Sequence, residues 1–315
     1  MRNTARTLIF LMAASTAAFA QMGGAPGAFS RLGFGARGMA MGNAMSAVAS
    51  GDIVGYYNPA LLSYAPTRYG SASFGILSLD RKLNFLQYTQ PLPPMAGLSF
   101  GIINSGVSNI DGRDSDGEPT GPLKTSENQI NLGFAARFKN GFSFGLSFKL
   151  YHYQLYTDLV STTIGLDVGA FYRVSPDISV SLVVRDINSK YKWDSGTLYG
   201  QSGATTQDNF PMLFIAGTAV SLPGELGIAA AEVEVSNVKT IMARAGVEVP
   251  IIPEVTVRGG VDRIDLKESG MGVRPSLGFS FAKDFDGWSP ALYYAYVMEP
   301  FSPSGMHMIS LAVHF

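Results

Sequence analysis

The segment Phe142-Ser143-Phe144-Gly145-Leu146-Ser147-Phe148-Lys149-Leu150 decides the fold. Successive side chains of a β-strand point to opposite faces. Phe142, Phe144, Leu146, Phe148 and Leu150 therefore make one apolar face, and Ser143, Gly145, Ser147 and Lys149 make a small polar one. A soluble sheet covering a core can show this alternation once. Here it recurs from residue 68 to the end, in segments of the length expected of tilted membrane strands. The pattern predicts strands at 68–78, 82–91, 95–105, 126–139, 141–154, 161–173, 177–188, 210–221, 224–236, 240–249, 254–263, 272–284, 289–299 and 306–315, about fourteen in all.

The connections agree with a barrel. Alternate ones carry tight-turn chemistry: 91–94, Lys139-Asn140-Gly141, Ser175-Pro176-Asp177, Leu222-Pro223-Gly224, 250–253 and 284–287. Proline and glycine suit turn dihedrals and interrupt a hydrogen-bonded ladder. The two long connections, 106–127 and 188–209, fall at the opposite end, as short periplasmic turns and longer outer loops require. Both are rich in Gly, Ser, Asp and Thr and are expected to be solvated rather than packed. Asp111, Asp114 and Asp116 in the first do not follow a calcium-loop spacing and read as a solvated acidic turn.

Composition points the same way. Only 15% of the 315 residues are charged, against 46% hydrophobic, whereas soluble domains carry about 25% charged residues. Much of the surface must therefore face something other than water. A net charge of −1 leaves no basic patch for nucleic acid. The absence of cysteine excludes thiol catalysis and thiolate metal sites, and no cofactor or metal motif is read. His152, on the lipid-facing phase, and His314, at the extreme end, offer no catalytic constellation, so an enzyme is not expected.

At the N-terminus, Arg2 and Arg6 precede a short apolar run and Ala18-Phe19-Ala20. Residues 1–20 thus read as a secretory signal cleaved near Ala20, the alternative being a short membrane anchor of insufficient length. At the C-terminus, Ile309, Leu311, Val313 and Phe315 alternate with Met308, Ser310, Ala312 and His314. A final amphipathic strand ending in Phe315 resembles the signal read by the bacterial outer-membrane barrel assembly machinery.

On the inward phase lie Arg137, Lys149, Asp167, Arg173, Arg185, Glu232, Glu234, Arg244, Glu248, Arg258 and Asp262. Both signs are present. The first reading is a structural network of paired charges within the lumen, the second a polar permeation path or a docking site for a plug. Tyr151, Tyr153, Phe171, Tyr294 and Tyr296 are read as lumen-facing aromatics, or as interfacial girdle residues.

Residues 21–67 are too apolar for a solvated tail and are expected to plug the lumen of the barrel at 68–315. They contain Ala36-Arg37-Gly38, Met41-Gly42-Asn43-Ala44, Asp52 and Asn58-Pro59-Ala60. In order and spacing this run resembles the N-terminal signature of the PorV/PorQ family, a branch of the FadL-like outer-membrane barrels, with Asn43 in place of the usual second glycine. The similarity extends through Gly165 to Arg173, Val184 to Asn188 and Arg244 to Glu248. It implies a fourteen-stranded barrel in the bacterial outer membrane, in contact with its lipid, with an N-terminal hatch that contains Asn58, Pro59 and Ala60. It implies two roles: first a type IX secretion component that meets the translocon and cargo with a C-terminal sorting domain, and second a FadL-like channel for a hydrophobic ligand.

Overall fold

In the computed structural model, residues 24–267 and 272–315 are described. The signal-sequence reading at 1–20 lies outside them. After a short helix α1 (Gly35–Ala40), the strands are β1 (Tyr69–Ile76), β2 (Arg81–Leu92), β3 (Ala96–Arg113), β4 (Pro119–Arg137), β5 (Phe142–Tyr156), β6 (Leu159–Arg173), β7 (Ile178–Ile187), β8 (Lys190–Asp194) and β9 (Thr205–Asn209). They continue with β10 (Leu213–Leu222), β11 (Gly227–Ser236), β12 (Ile241–Ile252), β13 (Val255–Asp265), β14 (Arg274–Ala282), β15 (Ser289–Val297) and β16 (Met306–His314). All but β8 and β9 form one closed antiparallel barrel of fourteen strands, with β7 beside β10 and β16 beside β1. Closure leaves no unpaired sheet edge, which a lipid-embedded strand could not tolerate.

The expected alternation holds around the wall. Along β5, Phe144, Phe148 and Leu150 are exposed while Ser143, Ser147, Lys149 and Tyr151 are buried. In β16, Ile309 and Leu311 face outward and Met308, Ser310 and Ala312 inward. Closure is sealed at the C-terminus, where the Phe315 backbone N–H donates to the Arg68 carbonyl at 3.1 Å. The six tight connections lie at one end of the barrel, here the turn end, and the others at the loop end.

Two expectations about the long connections are corrected. Residues 106–127 are largely an extension of the β3–β4 hairpin, paired as far as Arg113 and Pro119 beyond a bulge at Asn109. Its tip is the expected acidic turn, with the Asp114 carboxylate accepting from the Asp116 and Glu118 backbone N–H groups. Residues 188–209 are solvated only in part. They contain the β8–β9 hairpin, in which β9 is exposed as expected but Tyr191 and Trp193 of β8 are buried against Tyr153 with ring centroids 5.4 and 5.2 Å apart.

The principal hydrophobic core lies inside the barrel rather than between sheets. Phe34, Met39, Met41, Met45 and Val48 pack against inward-facing Leu83, Phe85, Ile103, Met306 and Met308. Each such side chain, fully buried, contributes about 1.5–3 kcal/mol, which accounts for an apolar N-terminal segment held within a polar-lined wall.

Candidate functional site in the barrel lumen

The N-terminal segment runs through the lumen from residue 24 to β1, touching β12 at Arg37, β11 at Ser46, β16 at Asp52 and β6 at Asn58. Against β5 and β6 it makes a stiff turn. Asn58 caps a 3-10 turn at Pro59–Tyr64, its side-chain oxygen accepting from the Ala60 N–H at 2.9 Å and its amide donating to the Ser46 carbonyl at 2.9 Å. Pro59 lacks a donor and has a fixed φ, which suits the first position of such a turn. The wall opposite is bare: a methyl group at Gly145 would collide with the Pro59–Ala60 peptide, and one at Gly169 with the Asn58 side chain. The Ser143 hydroxyl donates to the Ala60 carbonyl at 3.1 Å.

On the other side the attachment is ionic. Arg37 on α1 forms a two-pronged pair with Glu248, at 2.8 and 2.9 Å, and donates to the Ser50 and Asp52 carbonyls. Arg258 shares Glu248 at 2.6 Å. Asn43 donates to Asp262 at 3.1 Å, and the Ser46 N–H donates to Glu232. Near the turn end, the His314 imidazole lies 2.7 Å from the Asp52 carboxylate. Burial works against the charge of Asp52, but hydrogen bonding from His314 and the field of Arg37 hold its carboxyl below the usual range.

The inward charges are thus resolved into separate groups. Lys149 bridges Asp167 at 2.7 Å and Asp186 at 3.0 Å. Arg244 holds Glu234, Asp262 and Glu232 at 2.7, 2.8 and 3.5 Å. Arg37 and Arg258 enclose Glu248. Arg185 joins none of them: it donates to the Tyr57 carbonyl at 2.7 Å, with its guanidinium 4.8 Å from the Tyr56 ring centre. Arg137 and Arg173 stand apart at the turn end, 4.5 and 5.0 Å from the Tyr64 ring centre. Arg173 is exposed, so its assignment to a buried network is corrected. Asp186 was not expected to face inward. Its positive φ of 58° sits at a bulge between β6 and β7, which turns it to the same side as Arg185.

Above this segment, toward the loop end, lies a cavity of about 730 Å³. Phe29 and Arg31 line its base, Tyr153, Tyr191 and Trp193 one wall, and Arg244 and Arg263 the other. Of the five aromatics expected in the lumen, only Tyr153 lines this space. Tyr151 is buried beneath Phe29 and Phe210, and Phe171 packs on Tyr64. Tyr294 and Tyr296 are corrected to the outward face of β15, since Ala291, Tyr293, Ala295 and Val297 are its buried positions. The wall residues missed, Tyr191 and Trp193, alternate with Lys190 and Lys192, a strand signature within the presumed loop. Between α1 and the wall, the described residues leave a void of only about 20 Å³. A separate cavity of about 590 Å³ opens at the turn end and reaches Glu248.

The fold is shared with solved membrane channels. The toluene transporter TodX of Pseudomonas putida superposes with a TM-score of 0.63 at 15% identity, covering 90% of this chain and 97% of that one. CymD, a monoaromatic hydrocarbon channel, gives 0.61 at 14% identity over 90% and 97%. A FadL homologue of Pseudomonas aeruginosa gives 0.60 at 10% identity over 89% and 98%. At these identities the likeness defines the architecture, that of the FadL-like fourteen-stranded barrels. No protein-family model matches the sequence, and no curated protein does.

Proposed function

We propose that this protein is an outer-membrane channel for small hydrophobic molecules, gated by residues 21–67 as a hatch. The carrying observation is the 730 Å³ cavity, aromatic on one wall and floored by the N-terminal segment, above the close packing of α1 on the wall. Its volume falls in the range of small-molecule sites, about 300–1,000 Å³. The exposed apolar faces of the strands supply the lipid contact, the turn end faces the periplasm and the loop end the exterior. In this reading residues 1–20 direct export and are removed near Ala20, and Phe315 marks the last strand for the barrel assembly machinery.

The hatch residues divide the work. Asn58, Pro59 and Ala60 form the fixed turn, Gly38 lets Tyr57 of the same segment pack on α1, Met41 and Gly42 lie against the bare wall at Gly246, Gly260 and Val261, Ala44 is buried beside them, and Arg37 and Asp52 are the charged latches. The similarity of architecture to hydrocarbon channels supports hydrophobic passage ahead of secretion. Docking of type IX cargo rests on the N-terminal motif alone.

The two tryptophans permit a direct test, since Trp288 is exposed at the turn end and Trp193 lines the cavity. In a Trp288→Phe background, toluene or oleate should change Trp193 emission saturably. Arg37→Ala, which unties α1 from Glu248, should raise entry of the same compounds into proteoliposomes several-fold. Emission indifferent to both ligands, with entry no faster than in protein-free vesicles, would remove the proposal.

A further inference from the structure

A second site lies on the outside of the barrel. The ladder between β6 and β7 ends at Leu166 and Ile187 after a register shift. Asp186 and Asn188, both with φ of 58°, then turn the chain into β8. There Tyr191 and Trp193 are buried on the lumen side while Lys192 is exposed and Lys190 half-buried on the other. The Lys192 backbone N–H donates to the Ser161 hydroxyl at 2.9 Å, fixing β8 along the upper part of β6. The offset leaves a recess of about 300 Å³ lined by Leu150, Thr162, Ile164, Asn188, Lys190 and Lys192.

The position of this recess along the barrel matters. The unbroken outward apolar runs of β5 and β6 reach Leu150 and Ile164, which is 72% exposed, with Val160 the one apolar outward position of β6 beyond them. The next outward positions are His152 and Thr162, hydrogen-bonded to each other at 2.9 Å. The recess therefore spans the upper margin of the apolar band, with an apolar floor and two ammonium groups at its rim. Among the described residues neither lysine forms an ion pair within 4.0 Å. Lysines at such a margin keep their stems on apolar surface and their charge at headgroup level, where they attract anionic lipid.

We propose that this recess binds the phosphate-bearing headgroup of a lipid in the outward leaflet, its acyl chain lying over Leu150 and Ile164. Phosphate supplies the charge that Lys190 and Lys192 lack, and the apolar floor selects an amphiphile over a free anion. The inference shares with the functional proposal only the membrane setting. It is independent of what the lumen carries, so failure of ligand entry leaves it standing, and its own failure leaves the channel reading standing.

Native mass spectrometry of the full barrel in nonionic detergent tests it, with diphosphoryl lipid A, phosphatidylcholine and inorganic phosphate as probes. Lipid A should bind in preference to phosphatidylcholine and resist displacement by millimolar phosphate. With each lysine near a charged headgroup contributing on the scale known for juxtamembrane basic residues, Lys190→Gln with Lys192→Gln should weaken lipid A binding about 30-fold. Lys190→Arg with Lys192→Arg should restore it. Equal retention of phosphatidylcholine by the unaltered protein, displacement of lipid A by phosphate, or a glutamine variant that folds and binds as before would each overturn the proposal.

Discussion

The N-terminal segment meets one side of the barrel wall by shape alone and the other by charge as well, since Gly246 and Gly260 also leave the wall bare beside Met41 and Gly42. Against β5 and β6, Asn58, Pro59 and Ala60 fit a strip where Gly145 and Gly169 have no side chain, and the hydrogen bonds of these three residues to the wall are neutral. Against β11 to β13, Arg37, Asn43 and Ser46 reach Glu248, Asp262 and Glu232. Shape-matched packing falls off over fractions of an ångström and is indifferent to pH and salt. A buried ionic contact holds only while each partner is in place, because a charge left alone there is costly. The neutral side is thus suited to a fixed pivot and the ionic side to release.

The largest expected effect comes from breaking the ionic wall at its centre. Arg244→Ala leaves Glu232 and Glu234 without their guanidinium and leaves Asp262, among the described residues, with Arg274 at 3.8 Å as its remaining ion-pair partner beside the hydrogen bonds from Asn43 and the Arg263 N–H. Removing one member of such a buried set costs about 3–5 kcal/mol. Urea unfolding followed by tryptophan emission should show a midpoint lowered accordingly, with Arg244→Lys intermediate. An unchanged midpoint would mean that water already solvates these carboxylates, and the contrast between the two sides would lose its basis.

A smaller effect is expected on the neutral side. Gly145→Val places a branched side chain where the Pro59–Ala60 peptide lies. Overpacking of this kind costs about 1–3 kcal/mol. Because the barrel can keep its ladder while the turn is displaced, hydrogen exchange should quicken at Ala60 to Ser63 and stay unaltered along β5 and β6. Exchange that rises throughout the barrel would show that the turn is part of the wall's own stability rather than a docked element.

What could be read from the sequence follows the same division. Period-two alternation exposed the strands, the turn chemistry located one end, and the inward phase found Lys149, Asp167, Glu232, Glu234, Arg244, Glu248 and Arg258, because each lies in a strand with one plainly apolar face. The signal fails where both faces look alike. In β15, Tyr293, Tyr294 and Tyr296 occupy adjacent and alternate positions, so the phase was assigned backwards. It fails again where the backbone departs from regular pleating, as at Asp186, since a bulge turns a residue from the face that counting assigns it. The pairing of Arg37 with Glu248 spans 211 positions and has no local trace. The cavity wall was hidden because Gly, Ser and Thr around β8 and β9 made a hairpin read as a loop.

The smallest effect, and the one that separates two ways of latching the turn end, is the pH response of Asp52. Its folded carboxyl titrates below the usual value, about 3.9 for an unperturbed aspartate. Its contribution is therefore complete above that value and is lost as the pH falls through the lower, folded one. Exchange across Ser50 to Val54 should differ between the unaltered protein and Asp52→Asn at pH 7, keep that difference to about pH 4, and converge only below it. The subtraction isolates Asp52 from Glu248, which titrates in both proteins. A difference that instead changes between pH 5 and 7 would overturn the assignment of this latch to the Asp52 carboxylate. In that case the charged side of the N-terminal segment would respond to physiological acidity, and the ionic attachment would be a switch rather than a clasp.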